Sequence, residues 1–128
     1  MHVKILAVDD EPDHLELVHE LLKDEGFTVD TALSGVDALK KVFRFRPDLI
    51  LVDAAMPQMS GFTFCETMKN NPATAAIPII MLTGLVSQFG RLNGFAHGAN
   101  AYLTKPFSPA ELVAKILELL QGQSANRA

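Results

Sequence analysis

Apolar residues fall along this chain in five short runs, and a stretch with helical spacing follows each one. Lys4 to Val8 is an apolar run that stops at Asp9-Asp10-Glu11, with Pro12 placed to be the first residue of a helix. Leu15, Val18, Leu21 and Leu22 then recur at helical intervals until Glu25-Gly26 halts them. Phe27 to Ala32 alternates apolar and polar positions, as a strand does. Ser34 and Asp37 open a second helix carrying Val36, Leu39, Val42 and Phe43, which Arg46-Pro47 closes. Leu49 to Val52 is too short and too β-branched for a surface helix and reads as a buried strand that ends on Asp53. Gly61 leads into a third helix with Phe64, Cys65 and Met68 on one stripe, interrupted at Asn70-Asn71-Pro72.

Ile79 to Leu82 is the fourth strand and runs into Thr83-Gly84. Leu85, Phe89, Leu92 and Ala96 pattern a fourth helix, in which Gly90 and Gly94 lower the intrinsic propensity, so this helix is expected to be mobile; Gly98 ends it. Ala101 to Leu103 is a short fifth strand, followed by the loop Thr104-Lys105-Pro106-Phe107. Ser108-Pro109-Ala110-Glu111 supplies a cap, a first-position proline and an acid three residues after the cap, and starts a fifth helix with Leu112, Ile116, Leu119 and Leu120. The polar QGQSANRA that follows reads as a frayed tail or the start of a linker. A domain over residues 1–121 and a tail over 122–128 are therefore expected.

Strand then helix, five times and without an internal repeat, implies an α/β fold: one doubly wound parallel sheet with helices on both faces and right-handed crossovers. In such sheets ligands bind beyond the carboxyl ends of the strands, where strand order reverses. Composition narrows the class. At 128 residues the chain fits a single domain, 48% hydrophobic and 20% charged. No apolar run approaches the roughly 20 residues of a membrane span, and the first residues lack the layout of a signal peptide. Cys65 is alone, so no internal disulfide forms; a cytoplasmic location is expected. A net charge of −4 and the lack of a dense basic cluster argue against direct nucleic-acid contact; Lys40, Lys41, Arg44 and Arg46 are read as a solvated helix face. His2, His14, His19 and His97 lack metal-ligand spacing and are taken as surface or packing residues.

The strand ends carry the chemistry. Asp9 and Asp10 follow the first strand, Asp53 ends the third, Thr83 the fourth, and Lys105 follows the fifth. Singly, each has a plain structural role: a turn former or helix cap for the acids, a local backbone hydrogen bonder for Thr83, a solvated charge for Lys105. Together they are costly without a compensating cation, because three clustered acids repel one another. Oxygen ligands with no His or Cys suit a hard ion that keeps several waters, Mg²⁺ rather than Ca²⁺. A metal, a lysine, a hydroxyl and a nucleophilic carboxylate describe phosphoryl transfer to Asp53, with Lys105 and the metal neutralising the transferred group and Thr83 bonding one of its oxygens.

In order and spacing, Asp9-Asp10, Asp53 with Met56-Pro57 and Gly61, Thr83-Gly84 and the Tyr102 to Phe107 segment resemble a response regulator receiver domain of two-component signalling, over Val3 to about Leu120. The resemblance implies a five-stranded flavodoxin-like sheet in the order 2-1-3-4-5. It implies that Asp53 takes phosphoryl from the histidine of a sensor histidine kinase or a histidine phosphotransfer protein. It further implies direct Mg²⁺ ligation by Asp10, Asp53 and the backbone carbonyl of Ala55, with Asp9 acting through water, and a cis Lys105-Pro106 bond. Phosphorylation would draw Thr83 inward and let the Tyr102 ring follow, shifting the surface of the fourth helix, fifth strand and fifth helix toward a downstream effector or fused output domain. The chain is then a switch that catalyses its own phosphorylation and dephosphorylation, not an enzyme turning over an external substrate. A phosphohydrolase with an aspartyl-phosphate intermediate is the enzymatic rival, but Ala55 stands where its second acid belongs; a degenerate, binding-only receiver is the other, but the acid, Thr and Lys set is complete. Ala55 and Leu85 border the path of an attacking water in this family, and neither can orient it, so slow self-hydrolysis of the acyl phosphate is expected. Gln58 and Ala101 stand where the family often has Gly and Asp, with no catalytic consequence expected.

Overall fold

The computed structural model describes residues 3–84 and 98–127. Five strands, β1 (Lys4–Val8), β2 (Thr28–Ala32), β3 (Leu49–Asp53), β4 (Ile79–Thr83) and β5 (Ala101–Thr104), form one parallel sheet in the order β2-β1-β3-β4-β5. Among the described residues four helices accompany it: α1 (Pro12–Asp24), α2 (Gly35–Phe45), α3 (Gly61–Lys69) and α4 (Pro109–Arg127). The expected helix through Leu85, Phe89, Leu92 and Ala96 lies outside the described residues, so the last helix is the fourth here.

The apolar runs are continuous because the sheet has two buried faces. Side chains alternate along a strand, so each run splits between two cores. Leu6, Val8, Ile50, Val52, Ile79 and Met81 point to one face and pack under α2 and α3 through Ala38, Val42, Phe64, Cys65 and Met68. Ile5, Leu49, Leu51, Ile80, Leu82 and Leu103 point to the other and pack under α1 and α4 through Leu22, Leu112 and Ile116. Most of these residues are fully buried, each worth about 2 kcal/mol of transfer free energy.

The starts of three helices follow from side-chain caps. Ser34 Oγ accepts from the Asp37 N–H at 3.1 Å and Ser60 Oγ from the Thr63 N–H at 3.2 Å. Ser108 and Glu111 form the full capping box, Ser108 Oγ accepting from the Glu111 N–H at 3.1 Å while Glu111 Oε1 accepts from the Ser108 N–H at 3.1 Å. Glu11 caps α1 without a side-chain bond, and Pro12 supplies the helical φ.

Two expectations require correction. The buried face of α2 is Gly35, Ala38 and Val42, with Leu39 partly buried, while Val36 and Phe43 are exposed. Small residues face the sheet because the helix lies close to it and Met59 covers its first turn: a Cβ on Gly35 would come 2.6 Å from Met59 Sδ. The last helix, moreover, continues to Arg127 through residues expected to fray. Gly122, Ser124 and Asn126 are weak helix formers, but the chain contains no proline after Pro109 to stop the helix.

At the amino ends of β4 and β5 a clasp closes the sheet. Lys69 Nζ donates to Ala75 O at 3.1 Å, Ile77 O at 2.8 Å and Asn100 Oδ1 at 2.9 Å, and Asn100 Oδ1 also accepts from the Ile79 N–H at 3.0 Å. Burial lowers the Lys69 pKa, and Gly98, at φ +103°, leaves room for its stem.

Candidate functional site

Parallel pairing places the candidate residues side by side. Val8 lies opposite Val52, so Asp9, just past β1, neighbours Asp53 at the end of β3. Asp53 lies opposite Leu82 and Thr83 opposite Thr104, which brings Thr83 and Lys105 to the same edge. The Lys105 N–H donates to Thr83 O at 2.7 Å, and the Lys105-Pro106 bond is cis, as the resemblance implies.

Asp9, Asp53 and Thr83 are buried, Asp10 is half-buried. One carboxylate oxygen each from Asp9, Asp10 and Asp53 lies within 4.8 Å of the others. Backbone groups fix the orientation of two of these acids: Asp9 Oδ1 accepts from the Glu11 N–H at 3.0 Å and Asp53 Oδ1 from the Ala55 N–H at 3.2 Å. Their Oδ2 atoms are left toward Lys105, whose Nζ stands 3.7 Å from Asp9 and 3.4 Å from Asp53. Burial raises the Asp9 pKa most, the Glu11 N–H opposes it, the Asp53 charge raises it again, and Lys105 and His14 lower it; the net direction is upward. One lysine cannot neutralise three carboxylates, and an all-oxygen set at this spacing fits a hard divalent cation.

The segment after Asp53 folds back tightly. The Gly61 N–H donates to Ala54 O at 3.0 Å, and a Cβ on Gly61 would run into Asp53 O and stand 2.8 Å from Ala54 Cα. Only glycine lets α3 start against the end of the acid-bearing strand. Ala55 is exposed beside the site, and Gln58 adopts φ +69°, a left-handed conformation that a glycine would take without cost. Tyr102 on β5 is half-buried, opposite Met81, and packs against the α2–α3 core, one position away from Leu103 on the other face. Leu85 lies outside the described residues.

His14 is the residue that sequence patterning missed. It is on the surface, as expected, yet its Nδ1 lies 3.0 Å from Glu11 Oε2 and 3.7 Å from Asp9 Oδ2. The signal was its position, three residues after Glu11 on a helix that begins at the site. Beside it a groove of about 510 Å³, with walls including Leu17, Leu21, Phe107 and Pro109, opens onto Asp9 and Lys105. Leu17 is 70% exposed there.

Fold and site together define a parallel α/β domain with an acidic, cation-fitting pocket at its switch point. Residues 5–117 match the response regulator receiver domain family, and the chain belongs to that family. It is 37% identical over 118 residues to the DNA-binding dual master transcriptional regulator RpaA of Synechocystis, covering 92% of this chain and 49% of RpaA. The chain thus spans about half the length of that relative. Among solved structures it is similar to the chemotaxis protein CheY4 of Vibrio cholerae, with a TM-score of 0.87 and 36% identity over 92% of this chain and 98% of that one. It is also similar to the receiver domain of sensor histidine kinase PA1611 of Pseudomonas aeruginosa, solved with a magnesium ion coordinated in its active site cleft. That likeness has a TM-score of 0.86 and 30% identity, over 94% of this chain and 99% of the other. The chain is accordingly a receiver domain of two-component signalling, a signalling domain and not a turnover enzyme. No helix among the described residues is long and apolar enough to cross a membrane.

Proposed function

We propose that Asp53 is the phosphoacceptor of this domain. The observation that carries this is the convergence on its carboxylate: Lys105 Nζ stands 3.4 Å from Oδ2, and an Asp53 oxygen lies within 4.8 Å of oxygens of Asp9 and Asp10. An Asp53 oxygen attacks the phosphorus of a phosphohistidine, the P–O bond forms as the P–N bond breaks, and the imidazole departs. Asp10, Asp53 and the Ala55 carbonyl would hold Mg²⁺, with Asp9 acting through water, and the ion would supply charge neutralisation for the transferred group. Lys105 shares that task from the other side, and the Thr83 hydroxyl bonds a phosphoryl oxygen.

Because Asp53 is buried, a donor must present its phosphoryl group closely. The groove beside Asp9 and Lys105 gives a sensor histidine kinase or phosphotransfer protein a place to do so. Thr83 moving toward the phosphoryl group, with Tyr102 following, transmits occupancy to β5 and α4 and so to an effector or fused output domain. The functional unit is residues 1–121, and no direct nucleic-acid contact is part of its work. The domain catalyses both its own phosphorylation and its slow hydrolysis, because the methyl group of Ala55 cannot align a water.

The test is labelling by a small acyl phosphate donor, with and without Mg²⁺, in wild type and Asp53→Asn. Mg²⁺-dependent labelling of the wild type alone is expected; equal labelling of the two proteins overturns the assignment. A phosphoryl lifetime of seconds in the isolated wild type would overturn the account of Ala55.

A further inference from the structure

The sheet has a free edge at β2, and two grooves flank it. Among the described residues β2 pairs only with β1, while α1 covers one face at this edge and α2 the other. On the α1 side a groove of about 470 Å³ is lined by Glu16, His19, Glu20 and Leu33, the last 52% exposed. On the α2 side a groove of about 260 Å³ is lined by Asp30, Lys41, Arg44 and Phe45. Lys41 is committed to its own chain, donating to Thr31 O at 2.5 Å and standing 3.6 Å from Asp37 and 3.8 Å from Asp30. Glu20 faces His19 at 3.6 Å. Glu16 and Arg44 are both exposed, and neither has an ion-pair partner among the described residues. One edge thus carries an unspent acid on one face and an unspent base on the other.

We propose that the β2 edge is a homodimer interface in which Glu16 of each copy pairs with Arg44 of the other, twice over. Two twofold arrangements can bring β2 edges together. An axis normal to the sheet keeps each face on its own side, setting α1 beside α1 and α2 beside α2, acid against acid and base against base. An axis along the strands exchanges the faces, so the acidic groove of each copy meets the basic groove of its partner. Charge selects the second arrangement. It leaves Leu33 and Phe45 as the apolar contacts of each groove, and it directs both acidic sites toward the same end of the dimer. Because the pairs lie at an exposed edge, the association is weak and salt-sensitive.

Sedimentation velocity over a concentration series, at low and high salt, tests this without reference to phosphorylation. The wild type is expected to reach dimer mass and no more, with salt weakening it. Glu16→Lys or Arg44→Glu alone weakens it on the order of tenfold. The double variant recovers the dimer, and so does an equimolar mixture of the two single variants, since every contact then joins opposite charges. Circular dichroism confirms that these surface variants are folded. A wild type monomeric throughout, growth beyond dimers, association indifferent to the substitutions, or a mixture that fails to recover would each overturn the proposal.

Discussion

Asp9 is buried next to another carboxylate, an unfavourable place for its charge. Its pKa is raised in the folded chain, so its contribution to stability is fully present below the unfolded value of 3.8 and is lost as pH rises through the folded value. Asp9→Asn is therefore expected to stabilise the metal-free protein at neutral pH, with the gain fading toward pH 3.8; urea unfolding in a chelator at several pH values measures it. Gln58 is a second local cost. A left-handed residue other than glycine costs about 1–2 kcal/mol, partly offset by the entropy glycine loses on folding, so Gln58→Gly should gain about 0.5–1 kcal/mol in the same assay. Cys65 is inert by contrast. Burial pushes its thiol up to about 12, and the native protein should resist a thiol-reactive probe near neutral pH until it is unfolded.

At the scale of elements, β1, β3 and β4 and the capped helix starts were legible because their signals are local: an apolar run, a serine at a cap, a proline at a first turn. The inner face of α2 was not. Val36 and Phe43 sit seven apart and are larger than Gly35 and Ala38, so weighing side-chain size selects the wrong stripe; the close approach of helix to sheet is a tertiary fact that favours the small residues. Val42→Ala should cost about 1–3 kcal/mol, while Phe43→Ala should stay within about 0.5 kcal/mol, as denaturant midpoints will show. The clasp of Lys69 was hidden for a similar reason, since its partners Ala75, Ile77 and Asn100 are backbone or amide oxygens with no sequence signature. Lys69→Met, which strands those oxygens, is expected to cost about 2 kcal/mol.

For the whole molecule, which candidate residues would meet was legible before the fold was seen, because parallel pairing turns strand ends that are far apart in sequence into neighbours. Asp9, Asp53, Thr83 and Lys105 were identified by that logic, and the pairing of β1 with β3, β3 with β4 and β4 with β5 brings them to one edge. His14 and the β2 edge were not legible, as both depend on how α1 and α2 flank the sheet. If the acid cluster holds Mg²⁺, the ion at a hundredfold excess over its Kd stabilises the domain by about 2.7 kcal/mol, and Asp10→Asn abolishes most of that gain in thermal melts. The central claim concerns one carboxyl group, and it can be marked chemically. Borohydride reduces an acyl phosphate to the alcohol, so phosphorylated protein treated this way and mapped by peptide mass spectrometry should carry homoserine at position 53. Homoserine at position 9 or 10 instead, or no reduced residue in a labelled protein, would contradict the account.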